Sequence, residues 1–423
     1  RVEVLKEGAA SVYGSDAVAG VVNYIFRRDF TGFEVDITSQ ETDLGDSKDR
    51  RGSFIWGGES GDTNFVVAYS TLSRSPLSQS ELELAPLGVS GLGTSFLLFG
   101  PSTVESGPYA GTYSAFQNVG DPNCVANKGI VIPQASGFRC GFKYGPRFNI
   151  VNDEDHDQLY VSLKTKLGND IDAKLDYLSA DTEVYDNPQS PSYPALSYLS
   201  PANAIAPGKG GNPFGVPVLW LGRPLASAFP SPFAPREIEM DRLSFGLGGT
   251  FDNGFDWNLD MTRSAEDNYG RQPDTGTSKL AAAIDGRGGP GGNETFNLFD
   301  PSANSQELRD WMRSDQETWT NVVLSVVDFV MSGEVGDISI AAGAQQRREK
   351  YDIKRSPNSI VEFDAAGNLT KPADMIFLGG GTESSASRTT NAVFVEASTD
   401  LSDNLELKGA MRYEDLENDS NVD

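Results

Sequence analysis

Phe255-Asp256-Trp257-Asn258-Leu259-Asp260-Met261-Thr262 puts an apolar residue at every odd position and a polar one at every even position. Successive side chains of an extended strand point to opposite faces, so this stretch has one greasy face and one wet face. The alternation recurs in both directions along the chain. Phe33, Val35 and Ile37 alternate with Glu34, Asp36 and Thr38. Leu159, Val161 and Leu163 alternate with Tyr160, Ser162 and Lys164, and Leu405, Leu407, Gly409 and Met411 with Glu406, Lys408, Ala410 and Arg412. The pattern predicts about eleven strands, near 32–42, 51–57, 63–74, 157–167, 171–185, 239–251, 255–267, 318–331, 338–351, 387–401 and 405–417. Most of these reach the roughly 9–11 residues that a tilted strand needs to cross a bilayer.

The connections are asymmetric. Tight turns rich in Gly, Asn and Asp fall at 58–62, 168–170, 252–254, 332–337 and 402–404, as hairpins require. Between them lie long segments rich in Gly, Pro, Ser and Asn, at 76–155, 186–238, 270–317 and 353–386. Short and long connections alternate, which puts the turns at one end of an up-and-down sheet and the loops at the other. The fold class is therefore all-β: an antiparallel, up-and-down transmembrane β-barrel, present here as about 11 of about 22 strands. Both chain ends read as cuts, with the remaining strands expected beyond the C-terminal side.

Composition agrees. The 423 residues carry 34 Lys+Arg against 60 Asp+Glu, a net charge of -26, which argues against nucleic acid as a partner. Only 38% of residues are hydrophobic, yet there are 23 Phe, 14 Tyr and 5 Trp. A disordered acidic chain is poor in aromatics; a barrel whose alternate residues face lipid is not. No run of roughly 20 apolar residues offers a membrane helix.

Ahead of the first strand stands Arg1-Val2-Glu3-Val4-Leu5-Lys6-Glu7-Gly8-Ala9-Ala10-Ser11-Val12-Tyr13-Gly14-Ser15-Asp16-Ala17-Val18-Ala19-Gly20-Val21-Val22-Asn23-Tyr24-Ile25. This resembles the end of the plug domain of TonB-dependent receptors, outer-membrane transporters whose pattern is close to R-[IV]-E-[VI]-[LI]-K-G-P, then Y-G, A, G and [IV]-N at matching intervals. Arg1, Glu3, Leu5, Lys6, Gly8, Tyr13, Gly14, Ala17, Gly20 and Asn23 carry the match. One departure is Glu7-Gly8, where the family usually has Gly-Pro. The resemblance implies a plug end over 1–28 and the N-terminal half of the barrel over 29–423. It further implies energised uptake across the outer membrane of a Gram-negative bacterium, by a monomer seated in outer-membrane lipid. The ligand would be an iron-siderophore, cobalamin, an oligosaccharide or a peptide. TonB and its inner-membrane energy complex would act through an N-terminal segment absent here. A passive porin-like channel and a secreted all-β binding protein are the alternatives.

In the strand Val2, Val4 and Leu5 fit burial within a small domain. Arg27 and Arg28 lead from the plug toward the barrel, paired with acidic luminal groups or simply solvated. In the loops Tyr109, Tyr113, Tyr193, Tyr198 and Trp220 either stack on ligand or fold the loops. Apolar runs such as Phe96-Leu97-Leu98-Phe99 and Val218-Leu219-Trp220-Leu221 suggest loops that pack on one another over the barrel mouth. Cys124 and Cys140, the sole cysteines, suggest a local disulfide in an oxidising compartment, with two free thiols as the alternative. The lone His156 stands at no ligand spacing from them, so no metal is expected there. Asp285, Glu294 and Asp300 could hold Ca²⁺ but show no EF-hand-like spacing, and solvation is the default. No catalytic set and no cofactor are called for; Ser11 lacks a nucleophile elbow.

Overall fold

The computed structural model describes residues 1–6, 14, 17, 19–45, 47–82, 88–168, 170–402 and 405–421, with side chains as far as 418. Gly8, Ser11 and Tyr13 lie outside the described residues, as do 169 and 403–404 at two of the turns. Eleven strands form one antiparallel sheet in which sequence neighbours are sheet neighbours. They are β1 (Gly32–Glu41), β2 (Lys48–Ser60), β3 (Thr63–Arg74), β4 (Asp153–Leu167), β5 (Ile171–Asp186), β6 (Arg236–Thr250), β7 (Asp256–Gln272), β8 (Gln316–Val335), β9 (Ile338–Arg355), β10 (Ser384–Ser402) and β11 (Leu405–Asn421). Gly61, Gly168, Gly254 and Gly336 sit in four of the tight turns with φ of 60°, 68°, 83° and 64°, a left-handed backbone that costs a side-chain-bearing residue energy.

Every expected strand is present, but most are longer than the alternation indicates. β8 runs to 20 residues and β10 to 19, about twice what a bilayer crossing needs. The added length lies mainly on the loop side, where both faces carry polar residues. There the hydrogen-bonded ladder continues without a hydropathic signature. The alternation of connections has one exception: 42–47, between β1 and β2, is on the long-loop side and is short.

Register assigns the faces. Leu175 of β5 lies opposite Phe245 of β6, Phe245 opposite Met261 of β7, and Met261 opposite Val327 of β8. These four side chains are 41%, 39%, 43% and 40% exposed. Phe33, Ile37, Trp56, Phe329, Val393 and Met411 continue the same uncovered surface. On the other face Lys174 opposes Gly246, which opposes Asp260, and Lys174 and Asp260 pair at 2.8 Å. Farther round, Gln345 donates to Asp328 at 2.7 Å and Arg412 donates to Gln345 at 2.9 Å. A sheet with one continuous greasy face and one face of paired charges is built for lipid outside and water inside.

The buried apolar cluster of the molecule belongs to the loops L1 (75–152), L2 (187–235), L3 (273–315) and L4 (356–383). Phe96, Leu98 and Tyr109 of L1 meet Phe214, Val218 and Trp220 of L2, Leu280, Phe296, Phe299 and Leu308 of L3, and Ile376 of L4. Ser95–Leu98 pairs with Asn118–Gly120 on one side and Val218–Trp220 on the other, so L2 adds a strand to a sheet of L1. L3 folds two short helices, α1 (Thr277–Ile284) and α2 (Gln306–Met312). Ser305 caps α2 by accepting from the Leu308 amide at 2.9 Å, the usual N-cap arrangement. The four loops thus make one folded cap.

Candidate functional site

Two regions stand out as candidate sites: the seat of the N-terminal segment on the polar face, and the cap. The seat begins with a hairpin, Val2–Leu5 against Val21–Tyr24, in which Glu3 lies opposite Asn23 and Leu5 opposite Val21. Gly20 has φ +136°, and a Cβ there would stand 2.3 Å from the Leu5 carbonyl oxygen; no side chain fits. Arg1 pairs with Glu3 at 2.6 Å in the open, and Lys6 is exposed. Ala17 is buried and donates its amide to Gly14 at 3.0 Å. Gly14 has φ +96°, and its missing Cβ would lie 3.3 Å from Glu414 Oε1 and 3.5 Å from Arg412 Nη2 on β11. Gly14 therefore abuts the polar face of the wall. Val2, Val4 and Leu5, expected in a buried strand, are about half exposed among the described residues.

Beyond the hairpin the chain turns along the wall. Phe26 stacks on Tyr160 of β4 with ring centroids 4.8 Å apart. Arg28 makes a fork to Asp176 of β5, Nη2 donating to Oδ2 at 2.8 Å and Nε to Oδ2 and Oδ1 at 3.0 and 3.3 Å. Asp29 lies 3.9 Å from Lys164. Arg27 instead meets the exposed Glu34 at 3.3 Å. Both arginines thus pair with carboxylates of the polar face, Arg28 in a partly buried pair and Arg27 in an exposed one. Asp176 escaped sequence reasoning, since nothing local marks a partner 148 residues away.

The cap answers where the five loop aromatics lie. Tyr109 is 5% exposed and donates to the Phe299 carbonyl at 3.2 Å; burial raises its hydroxyl pKa far above the ordinary tyrosine range. Trp220 is 1% exposed and meets Tyr198 edge-on at 5.5 Å. Tyr113 donates to the Tyr109 carbonyl at 2.8 Å, and Tyr193 stacks on Phe377 of L4 at 4.7 Å. Each of the five joins loop to loop or braces one loop. Cys124 and Cys140 are joined in a disulfide in L1. A Cβ on Gly129 would fall 2.7 and 2.9 Å from the two sulfurs. The acidic residues weighed for Ca²⁺ have local partners. Asp285 pairs with Lys209 and Arg287, Glu294 accepts from the Ser305 hydroxyl at 2.8 Å, and Asp300 accepts from the Ser302 amide at 3.2 Å.

Two charged groups inside the cap were not signalled by the sequence. Arg223 is 6% exposed, donates to the carbonyls of Leu92 and Ser192 at 2.8 Å each, and lies 4.2 Å over the Phe142 ring. Burial brings its pKa down to about 10. Asp274 accepts amide hydrogens from Thr275 at 2.8 Å, Phe377 at 3.0 Å and Leu378 at 2.7 Å, tying L4 to L3. Burial outweighs those bonds and pushes its carboxyl up to about 6.

An antiparallel sheet, greasy outside, charged inside and crossed on its inner face by an N-terminal segment, defines the wall of a plugged membrane β-barrel. Residues 169–423 match the family model described as TonB dependent receptor-like, beta-barrel. The chain belongs to the TonB-dependent receptor family. No curated protein sequence matches it. Among solved structures it is similar to the ferripyoverdine receptor of the outer membrane of Pseudomonas aeruginosa bound to ferripyoverdine, at 10% identity and a TM-score of 0.51, over 100% of this chain and 43% of that one. It is also similar to the pyoverdine outer membrane receptor FpvA from Pseudomonas aeruginosa PAO1 bound to pyoverdine, at 11% identity and 0.52, over 99% and 46%. Identity this low speaks to fold alone. The chain spans less than half the length of these structures.

Proposed function

We propose that residues 1–28 are the end of a plug domain and 29–423 the first half of an outer-membrane barrel. The receptor they belong to imports a scarce ligand into a Gram-negative cell. In this reading ligand settles on the cap and the outer side of the plug. TonB, coupled to the inner-membrane energy complex, then draws on the plug and opens a path past it. Binding and gating suffice, and no bond of the ligand is made or broken. A ferric siderophore is the first ligand class to try, since the structures of like fold hold ferripyoverdine and pyoverdine.

What supports the reading most is the seat of the N-terminal segment. Gly14, Phe26 and Arg28 lie against the polar face of a sheet whose opposite face is apolar. A passive channel has no use for such a stopper. The test uses the full-length receptor in iron-starved cells given ferripyoverdine labelled with radioactive iron. Uptake that saturates, and that stops when the TonB complex is deleted, is the expected result. Uptake undiminished by the deletion would make the protein a passive channel.

A further inference from the structure

Charge on the outer face of the wall is sorted by strand. In the apolar row, Met261 of β7 lies opposite Val327 of β8, and Val327 opposite Gln346 of β9. One step toward the loops, Arg263 lies opposite Ser325, and Ser325 opposite Arg348. The following steps set Val323 opposite Lys350, Asn321 between Asp267 and Asp352, and Trp319 between Tyr269 and Lys354. Arg263, Arg348, Lys350 and Lys354 are all exposed. The carboxylates of this stretch are already engaged: Asp267 accepts from Asn321 at 2.8 Å, and Asp352 pairs with Lys350 at 2.6 Å. Arg263, Arg348 and Lys354 have no side-chain hydrogen bond or ion pair among the described residues. Followed onto β6, β5 and β4, the same rows change sign. The row of Asp267 continues through Glu239, Asp181 and Asp157, and that of Tyr269 through Glu237, Glu183 and Asp155.

We propose that Arg263, Ser325 and Arg348, with Lys350 and Lys354 above them, hold the phosphates of an anionic lipid in the leaflet on the loop side. The carboxylates of β4 to β6 keep such lipid off the neighbouring strands. Arg263 and Arg348 stand two strand spacings apart, about 10 Å between backbones, with a small hydroxyl residue between them. Their stems lie along the apolar row while the guanidiniums reach past its edge toward the headgroups. A guanidinium fork matches the oxygens of a phosphate, and two forks over one serine leave room for it. Tyr269 and Trp319, with ring centroids 5.5 Å apart, mark the same border, where amphipathic rings favour headgroup level. In a chain of net charge -26, cations left without a protein partner beside an apolar band are complementary to an anion the lipid supplies.

The inference rests on the reading of an outer face in lipid, but not on what the receptor imports. The full-length receptor is placed in phosphatidylcholine bilayers doped with lipid A, or with lipid A stripped of its phosphates, and native mass spectrometry counts the glycolipid it retains. The wild type is expected to retain the phosphorylated form and not the stripped one. Arg263→Gln with Arg348→Gln should retain it about thirtyfold more weakly, at about 1 kcal/mol for each cation lost. Glu239→Gln should retain it at least as well as the wild type. Heat-dependent gel migration like the wild type's shows that each variant barrel is folded. Equal retention of the two lipid forms, or a double variant that binds as the wild type does, would overturn the phosphate site. A spin label at Met261→Cys in the same bilayers tells the failures apart: a label in lipid with no phosphate preference sinks this inference alone, and a label in water sinks the reading of the wall with it.

Discussion

The wall and the cap use the same residue types in opposite ways. In the wall, Leu175, Phe245, Met261 and Val327 stand uncovered on the outside while Lys174, Asp260, Asp328 and Arg412 find partners within. In the cap, Phe96, Trp220, Phe296 and Leu308 are buried completely or nearly so. The difference is one of solvent. Lipid gives an apolar side chain nothing to escape from, so the wall gains its order from ladder bonds and paired inner charges. Water drives the loops together, so the cap gains its order from burial, at about 25 cal/mol for each Å² of apolar surface covered.

That contrast can be broken most severely in the cap. Trp220→Ala leaves a hole among Phe96, Tyr198 and Val218, and should cost about 3–5 kcal/mol. Limited proteolysis of the full-length protein would show L1 and L2 cut while the wall stays resistant. In the wall, loss of bulk matters less than gain of charge. Phe329→Arg, on the uncovered face of β8, should cost about 2–4 kcal/mol when it lies near the bilayer midplane, whereas Phe329→Leu should be tolerated. Denaturant unfolding from lipid bilayers reads both.

A smaller effect sharpens the comparison through pH. Asp274 titrates at about 6 in the folded cap, against about 3.9 in an unfolded chain, so the folded state binds the proton more tightly. Its contribution is full below about pH 4 and is lost as pH rises through about 6, an amplitude of about 3 kcal/mol or less. Cap stability followed by proteolysis should fall over that window, and Asp274→Asn should flatten the profile. Least of all, Tyr113→Phe removes one hydroxyl donor to the Tyr109 carbonyl and should cost about 1 kcal/mol, seen as a slight loosening of L1 in hydrogen exchange.

The wall was legible because lipid writes a period of two into the sequence. Phe33-Glu34-Val35-Asp36-Ile37 and Leu405-Glu406-Leu407-Lys408 declare their strands outright. Legibility stops where lipid stops: the upper stretch of β8, around Gln316-Glu317-Thr318, meets water on both faces and shows no alternation. The cap was legible only as apolar runs. Neither α1 nor α2 was foreseen, since helices of seven and eight residues in Gly-rich surroundings exist through packing and not propensity. The loop aromatics were ambiguous for the same reason. Tyr109 and Trp220 read alike as ligand contacts or as core, and only the folded loops bury them. At the seat, Arg28 was legible as a cation near the wall, but its partner Asp176 was one of many carboxylates until register brought it round.

The central claim is that alternate residues of the wall face lipid and lumen. Its most direct test is a cysteine scan of β7 from 257 to 262 in the full-length receptor in bilayers, with a spin label at each position. Labels at 257, 259 and 261 should relax with lipid-soluble oxygen, and those at 258, 260 and 262 with a water-soluble nickel chelate. Equal access to the nickel chelate at all six, or the reverse phase, would contradict it.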